Sequence, residues 1–182
     1  MGKSFPEGNF SIELPENRCF RLEACDTYLQ ISGKDVKEMD FGWMEAGDQT
    51  LWLMEFKDYD QEDAPDPDRE YLVENLSTKV RDVLTMVATA WAETSFGQQL
   101  RSDLRDTCPD FPGKACTIRP LVIVNLNRVD ASRLVGALTN EVNAELEGVL
   151  EMFGISRVTI LTVGHPMIED KLDIHITQGD QG

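Results

Sequence analysis

An aspartate, a glutamate and a lysine stand at spacings that could bring their side chains together. Fourteen residues separate Asp40 from Glu55, and Lys57 comes two residues after Glu55. Side chains two residues apart lie on the same face of a strand, so Glu55 and Lys57 share a face if this stretch is extended. Paired carboxylates bind hard divalent cations, and a lysine beside them supplies positive charge to an anionic group. This chemistry requires a fold that brings Asp40 to Glu55.

A hairpin over Lys37–Tyr59 would do this. Alternating strands rich in Trp, Phe, Leu and Met flank the turn sequence Ala46-Gly47-Asp48-Gln49. If Gly47 and Asp48 are the two central residues of the turn, the residue numbers of each facing pair sum to 95. The predicted pairs are Met39–Phe56, Phe41–Met54 and Trp43–Trp52 on an apolar face, and Glu38–Lys57, Asp40–Glu55, Gly42–Leu53 and Met44–Leu51 on the other.

In this register the carboxylates of Asp40 and Glu55 face each other. Directly opposed residues have Cβ atoms about 5 Å apart, where like charges are destabilising. Either a divalent cation between the two groups or a raised pKa on one of them would offset the repulsion.

The stretch Asp40…Glu55-Phe56-Lys57 resembles the bipartite D…(D/E)-x-K signature of the PD-(D/E)XK nuclease superfamily, with Met39 where that family has proline. The resemblance implies a metal-dependent nuclease acting on DNA or RNA. Asp40, Glu55 and the backbone carbonyl of Phe56 would hold Mg²⁺ or Mn²⁺. Lys57 would orient or activate the attacking water and stabilise developing charge. Glu23 would be an extra upstream carboxylate, and Lys79 a basic helix residue that assists the site.

Each assignment has a structural alternative. Glu23 is also explained as a surface glutamate, and Lys79 as a lysine whose stem covers apolar surface. Glu38 and Lys57 could form an exposed cross-strand ion pair, with Asp40 and Glu55 merely on a wet face. The whole chain could then be a non-catalytic acidic interaction protein on a nuclease-like fold, such as an inhibitor, a DNA mimic or an assembly subunit.

Composition is typical of a single folded domain over residues 1–182. The chain is 41% hydrophobic, and it contains neither a run of about 20 apolar residues nor an apolar signal segment. We therefore expect a cytoplasmic protein with no membrane partner. The four cysteines form no C-x-x-C pair and there are only two histidines, which argues against a zinc site.

The net charge of −16 opposes simple nucleic-acid binding, because 17 basic residues face 33 acidic ones. A nuclease of this charge needs a metal ion, local basic clusters, or a basic surface from a homo-oligomer or complex. The acidic loop 58–70 either gates the substrate, binds a basic protein partner or simply keeps the chain soluble.

The remaining patterns predict an α/β protein of the restriction-endonuclease-like type, in which helices pack on a mixed sheet formed by an antiparallel meander and a βαβ unit. Before and beside the hairpin we predict an irregular segment 1–18 with an edge strand Phe10–Leu14, and a strand Thr27–Ser32. After it we predict helices Tyr71–Glu93 and Thr94–Arg105, a buried strand Leu121–Leu126, and a helix from an Asp130 cap to Gly154. The chain then continues with a strand Val158–Val163, an edge strand Leu172–Ile176 and a flexible tail 177–182. The helix that usually precedes the family's meander is not evident, unless Cys19–Asp26 forms a stub of it.

Overall fold

The computed structural model describes residues 2–15, 18–45, 49–59, 68–109, 111, 116–126, 131–172 and 174–178. Within these ranges the chain is mixed α/β, as predicted. Its strands are β1 (Gly2–Glu7), β2 (Phe10–Pro15), β3 (Cys19–Phe20), β4 (Phe41–Met44), β5 (Thr50–Asp58), β6 (Thr117–Asn125), β7 (Thr159–Thr162) and β8 (His175–Gln178). Its helices are α1 (Asp26–Leu29), α2 (Arg69–Trp91), α3 (Ser95–Leu104), α4 (Ala131–Met152) and α5 (Pro166–Leu172), with a 3₁₀ turn at Leu22–Ala24.

The main sheet has five strands in chain order, β3-β4-β5-β6-β7. The first two pairings, β3 with β4 and β4 with β5, are antiparallel, whereas β6 runs parallel to both β5 and β7. A parallel pair needs a long crossover, and α4 provides it between β6 and β7. The predicted βαβ unit is therefore confirmed.

The hairpin register is confirmed along the whole ladder between β4 and β5. The observed partners are Phe41–Met54, Gly42–Leu53, Trp43–Trp52 and Met44–Leu51. The ladder does not include the predicted partners at positions 38–40, because β4 begins only at Phe41 and Asp40 forms a bend. Met39 accordingly packs in the helix-side core rather than with Phe41 and Phe56, which corrects its predicted face.

The third strand of the meander lies earlier than predicted. The prediction of a strand at Thr27–Ser32 is wrong, because Asp26–Leu29 form α1, and it is Cys19 and Phe20 that pair with β4. A tertiary contact explains the difference: the backbone N–H of Thr27 donates a 2.8 Å hydrogen bond to Asp103 on α3. The strand propensity of this segment is overridden by that contact.

The prediction of an irregular N-terminal segment 1–18 is also wrong. β1 and β2 form an antiparallel hairpin around Gly8 and Asn9, and β8 adds to the other edge of β2. The expected strand Phe10–Leu14 is thus central in a second sheet. Residues 177 and 178 belong to β8 rather than to a flexible tail.

Both faces of the main sheet are buried. One face packs against α2, α3 and α4 through side chains such as Leu53, Val122 and Val124. The other face, which carries Trp52 and Met54, packs against the second sheet and α5. Strands buried on both sides explain the nearly continuous apolar run of β6. In the part of the chain described, none of the helices has the length and apolar character to cross a bilayer.

The predicted helices Tyr71–Glu93 and Thr94–Arg105 are confirmed as α2 and α3, and Thr94 caps α3 by accepting a hydrogen bond from the N–H of Gly97 at 3.0 Å. Four sequence predictions fall wholly or partly on residues outside the described ranges. These are the Gly47-Asp48 turn, the Asp130 cap, residues 60–67 of the acidic loop and residues 179–182 of the tail. The loop is shorter than the predicted 58–70, because Asp58 ends β5 and Arg69 begins α2.

Candidate active site

Strand β5 and helix α2 together position three charged side chains. Glu55 and Lys57 project from the same face of β5, toward α2, and Lys79 approaches them from the helix. The Lys57 Nζ and the Lys79 Nζ lie 2.6 Å and 2.7 Å from the same oxygen, Oε1 of Glu55. The Lys79 Nζ is also 3.9 Å from Oδ1 of Asp40. The structure therefore brings together Asp40, Glu55, Lys57 and Lys79.

Asp40 reaches this cluster because β4 starts one residue after it. Hydrogen-bonded pairs alternate along an antiparallel ladder, and Glu45 donates its N–H to the carbonyl of Thr50 at 2.9 Å. By the same alternation, the N–H of Phe56 would donate a hydrogen bond to the carbonyl of Met39 if β4 extended that far. Instead the chain bends, and Oδ2 of Asp40 accepts the N–H of Phe56 at 2.7 Å. This bond fixes the Asp40 carboxylate beside Glu55.

The same argument places the Phe56 carbonyl. In an extended strand the N–H and C=O of one residue point to the same edge. Since the N–H of Phe56 points toward Asp40, its carbonyl faces the Asp40 side as well. The Phe56 carbonyl and the Asp40 carboxylate thus lie at the same edge of β5.

Glu55 is the buried centre of the cluster. Its side chain is 0% exposed, whereas Lys57 is 30% and Lys79 14% exposed. Burial is the main cause that raises the pKa of Glu55, and the Asp40 carboxylate raises it further, against the opposing effect of Lys79 and Lys57. Sequence reasoning offered a metal ion or a raised pKa as ways to offset the repulsion, and the pKa of Glu55 is indeed raised.

The hydrogen bonding of Glu55 is incomplete. Its Oε1 lies 2.6 Å from the Lys57 Nζ and 2.7 Å from the Lys79 Nζ, whereas Oε2 has no hydrogen-bond partner among the described residues. A buried polar atom without a partner costs free energy, roughly 1–3 kcal/mol and more for a charged group. A cation ligated by Oε2 would remove that cost.

Lys57 carries a firmly held proton. Burial alone would lower its pKa, but the Glu55 carboxylate, the hydrogen bond to it and the Asp40 charge outweigh burial and raise the pKa of Lys57 above its ordinary value. The group is therefore an ammonium ion at neutral pH. It can donate hydrogen bonds and stabilise negative charge, but it cannot act as a base in this state.

The donor set fits a hard cation that keeps several waters. Mg²⁺ is commonly bound through one or two carboxylates plus substrate oxygens, without a dedicated cage of protein ligands. Asp40, Glu55 and the Phe56 carbonyl match that pattern, and the unpartnered Oε2 of Glu55 is consistent with it. No cluster of three or more His, Cys, Asp or Glu side chains arranged for a metal occurs in the described ranges.

Glu23, the predicted upstream carboxylate, lies at the edge of the site. It is half exposed and forms a 2.8 Å ion pair with Arg21. Arg21 also binds Glu7 at 2.6 Å, and its guanidinium lies over the ring of Phe41 at 4.8 Å. Burial, followed by the Asp40 charge, raises the pKa of Glu7.

Glu7 and its partner Arg21 therefore border the candidate site, and sequence reasoning missed both. Glu7 ends β1, in the segment 1–18 that was predicted to be irregular, and Arg21 directly follows β3. Tyr59 was missed as well. Burial raises the pKa of Tyr59 to about 12, and Lys57 and Glu55 are both close enough to affect it. Its position two residues beyond Lys57 on the same strand face was a signal that could have identified it.

The predicted ion pair between Glu38 and Lys57 is wrong. Glu38 instead accepts a hydrogen bond from the hydroxyl of Tyr28, and Lys57 pairs with Glu55. The alternative in which Asp40 and Glu55 sit on a wet face is also wrong, because Glu55 is fully buried and Asp40 is only 16% exposed.

Comparison of the chain with protein-family models, with curated proteins and with solved structures found no match in any of the three. The functional argument for this protein therefore depends on the geometry of the site itself.

Proposed function

We propose that this protein is a divalent-metal-dependent nuclease of the PD-(D/E)XK type, on a restriction-endonuclease-like fold. The observation that carries the proposal is the close grouping of Asp40 and Lys57 around Glu55, whose carboxylate is fully buried. The order of meander, helix and parallel strand supports the fold assignment. Among the described residues no α-helix precedes β3, and the 3₁₀ turn Leu22–Ala24 and α1 follow it, so the family's N-terminal helix has no counterpart there.

A purely structural role explains the cluster less well. Taking a carboxylate and two ammonium groups out of water costs several kcal/mol per ion, and well-packed apolar residues would often be as stable or more stable. The unpartnered oxygen of Glu55 adds to this cost. Charged groups held in such an arrangement are typical of sites that perform chemistry.

Each residue of the cluster has a separate role in the proposed phosphodiester hydrolysis. Mg²⁺ or Mn²⁺, when bound, would polarise the scissile phosphate and lower the pKa of a water. Asp40 and Glu55 would hold the ion together with the carbonyl of Phe56, and the N–H of Phe56 fixes the orientation of Asp40. The Lys57 ammonium would orient the attacking water and stabilise the charge that develops on the phosphate. Lys79 would keep Glu55 in position.

Cleavage assays test this assignment directly. We expect Mg²⁺- or Mn²⁺-dependent cleavage of at least one among plasmid, linear duplex and single-stranded substrates. Lys57→Ala should reduce the rate by at least about 100-fold, because an electrostatic donor to the transition state is lost. Lys34→Ala, which changes an exposed lysine between β3 and β4, serves as the matched control and should leave the rate unchanged. An unchanged rate in Lys57→Ala would exclude the assigned role.

Metal binding can be measured before any substrate is known. Calorimetric titration with Mg²⁺ and Mn²⁺ should give saturable binding to the wild type and none to the double variant Asp40→Asn, Glu55→Gln. The matched control is Glu147→Gln, Glu151→Gln, which removes two exposed carboxylates from α4. Equal binding by the wild type and the Asp40, Glu55 variant would contradict the metal assignment.

If metal binding and cleavage are both absent, the result would favour the alternative function, a non-catalytic acidic interaction protein on a nuclease-like fold. The ion cluster would then have only a structural role. Lys57→Met, which keeps the length of the side chain, should be checked for folding by circular dichroism so that lost activity is not confused with unfolding.

A further inference from the structure

A cavity lies at the end of β5 opposite to Lys57, where residues from both faces of the main sheet meet. Its volume is about 310 Å³, and its lining includes Trp52, Arg119, Arg157, Ser156 and Met167. Among the described residues of this lining there is no carboxylate, although the chain has 33 acidic residues and only 17 basic ones. An opening with two arginines and no acid is unusual for so acidic a protein.

The two arginines reach the cavity from two different segments. Trp52 pairs with Arg119 between β5 and β6, so these two side chains lie next to each other on one face of the sheet. Arg157 lies two residues before β7 begins at Thr159, and it lines the same cavity as Arg119.

Stacking on an aromatic ring holds the Arg119 side chain in place. The Arg119 guanidinium lies over the Trp52 ring at 5.4 Å, and Trp52 stacks against Trp43 with ring centres 5.7 Å apart and planes within 8°. The Glu45 carboxylate, at 3.1 Å, accepts the indole N–H of Trp52. In the described part of the chain, neither Arg119 nor Arg157 has a salt-bridge partner within 4 Å.

We propose that this cavity binds a phosphate monoester, with Arg119 and Arg157 as the phosphate-binding groups. Two like charges that line one small cavity repel each other, and an anion between them would replace that repulsion with two attractions. A phosphate monoester carries close to two negative charges at neutral pH, matching two guanidinium groups. Arginine also presents a planar fork of donors that fits phosphate oxygens, and a stacked arginine keeps that fork oriented.

The size and lining of the cavity restrict the ligand further. A volume of about 310 Å³ is at the lower end of the range for small-molecule sites, so a compact ligand is indicated. Met167 and Ile155 provide apolar contacts for its body, and the Ser156 hydroxyl offers a further hydrogen bond. A mononucleotide, or the phosphorylated end of a strand, has both the anionic group and the flat apolar part.

This site is separate from the proposed nuclease centre. Trp52 precedes Lys57 by five residues, which is about 16 Å along an extended strand, and the two side chains point to opposite faces of the sheet. The proposal therefore goes beyond the proposed function, and either one can fail without the other.

Titration calorimetry at constant ionic strength tests the proposal, with inorganic phosphate and AMP as probes and with adenosine and chloride as non-phosphate controls. We expect saturable binding of phosphate and tighter binding of AMP, with none for adenosine alone. Arg119→Ala and Arg157→Ala should each weaken AMP binding at least tenfold. Arg105→Ala, which changes an exposed arginine at the end of α3, should bind as the wild type does.

Two further measurements complete the test. Phosphate should raise the melting temperature of the wild type but not that of the double variant Arg119→Gln, Arg157→Gln, which checks binding even if a single alanine variant folds poorly. A 5′-phosphorylated oligonucleotide that binds as well as AMP, when its 5′-hydroxyl form does not, would show that the phosphate comes from a strand end. Absence of phosphate and AMP binding, or equal binding by the arginine variants, would overturn the proposal.

Discussion

At the scale of single residues, Glu55 determines how the candidate site responds to pH. Its pKa in the folded protein is raised above the ordinary value of 4.5, chiefly by burial. Between the two pKa values the folded chain therefore binds more protons than the unfolded chain. By linkage, the contribution of Glu55 to stability is present below pH 4.5 and is lost as the pH rises through the folded pKa.

We therefore predict that in EDTA the wild type loses stability relative to Glu55→Gln as the pH rises from 4.5. One proton sets an upper limit of about 1.4 kcal/mol per pH unit on this difference in slope. Urea unfolding of both proteins at several pH values measures it. Mg²⁺ should reduce the difference, because metal binding requires the ionised carboxylate. Parallel stability curves would show that Glu55 titrates normally.

The central residues of this site follow from the sequence because local rules govern them. Strand alternation places Glu55 and Lys57 on one face, and the turn signal sets the register that brings Asp40 close. Lys79 follows from helical periodicity. Glu7 was missed although its signal was present: Gly8-Asn9 is a recognised hairpin turn, and Gly8 has a positive φ of 57°.

At the scale of elements, the junction between α2 and α3 depends on one glycine. A Cβ on Gly97 would lie 2.0 Å from the backbone oxygen of Thr89 on α2, and backbone atoms cannot move aside as a side chain can. The two helices can approach this closely only because position 97 has no side chain. Through α2 this junction also supports Lys79, which reaches into the candidate site.

We predict that Gly97→Ala destabilises the fold by about 1–3 kcal/mol, the usual cost of overpacking. Gly148→Ala is the matched control, since position 148 also lies in a helix but a Cβ there would have no atom within 4 Å. That control should stabilise the protein by about 0.5–1 kcal/mol through helix propensity. Chemical denaturation of the three proteins gives both values, and similar values for the two variants would contradict the close-approach argument.

The elements with strong periodicity were predicted well, and those fixed by distant contacts were not. α2, α4 and β6 have long apolar patterns that specify them locally. The α1 turn depends on Asp103, 76 residues away, so nothing near Thr27 indicated it. β8 pairs with β2 from the other end of the chain, and only the folded topology shows that these two strands meet.

At the scale of the whole molecule, the distribution of charge matters more for nucleic-acid binding than the net charge does. Two groups of basic side chains matter against the net charge of −16. Lys57 and Lys79 lie beside the carboxylates of Glu55 and Asp40, and Arg119 and Arg157 line the cavity beside Trp52. Long-range repulsion should still slow the approach of nucleic acid to the free chain. Tight, salt-resistant DNA binding by the unmodified monomer would contradict this expectation.

The acidic loop 58–70 offers the sharpest test of the two functional alternatives, because it is the densest run of negative charge in the chain. Replacing its acids with amides should strengthen nucleic-acid binding if the protein is a nuclease, since fewer charges then repel the phosphates near Lys57. Metal binding should be unaffected. If the chain is instead an acidic module that captures a basic protein, the same change should abolish capture. The substitutions are Asp60→Asn, Glu62→Gln, Asp63→Asn, Asp66→Asn and Asp68→Asn.

A control with the same charge change separates the local effect of this loop from the effect of net charge. It replaces five exposed acids elsewhere with amides, namely Glu13, Glu147, Glu151, Glu169 and Asp170. Binding of a labelled oligonucleotide is measured for all three proteins over a range of salt concentrations. The loop variant should bind more tightly than the control at about 0.1 M salt, because charges are then screened over about 10 Å and those close to the site count most. Equal gains in the two variants would show that only the net charge matters, and no gain in either would count against nucleic acid as the substrate.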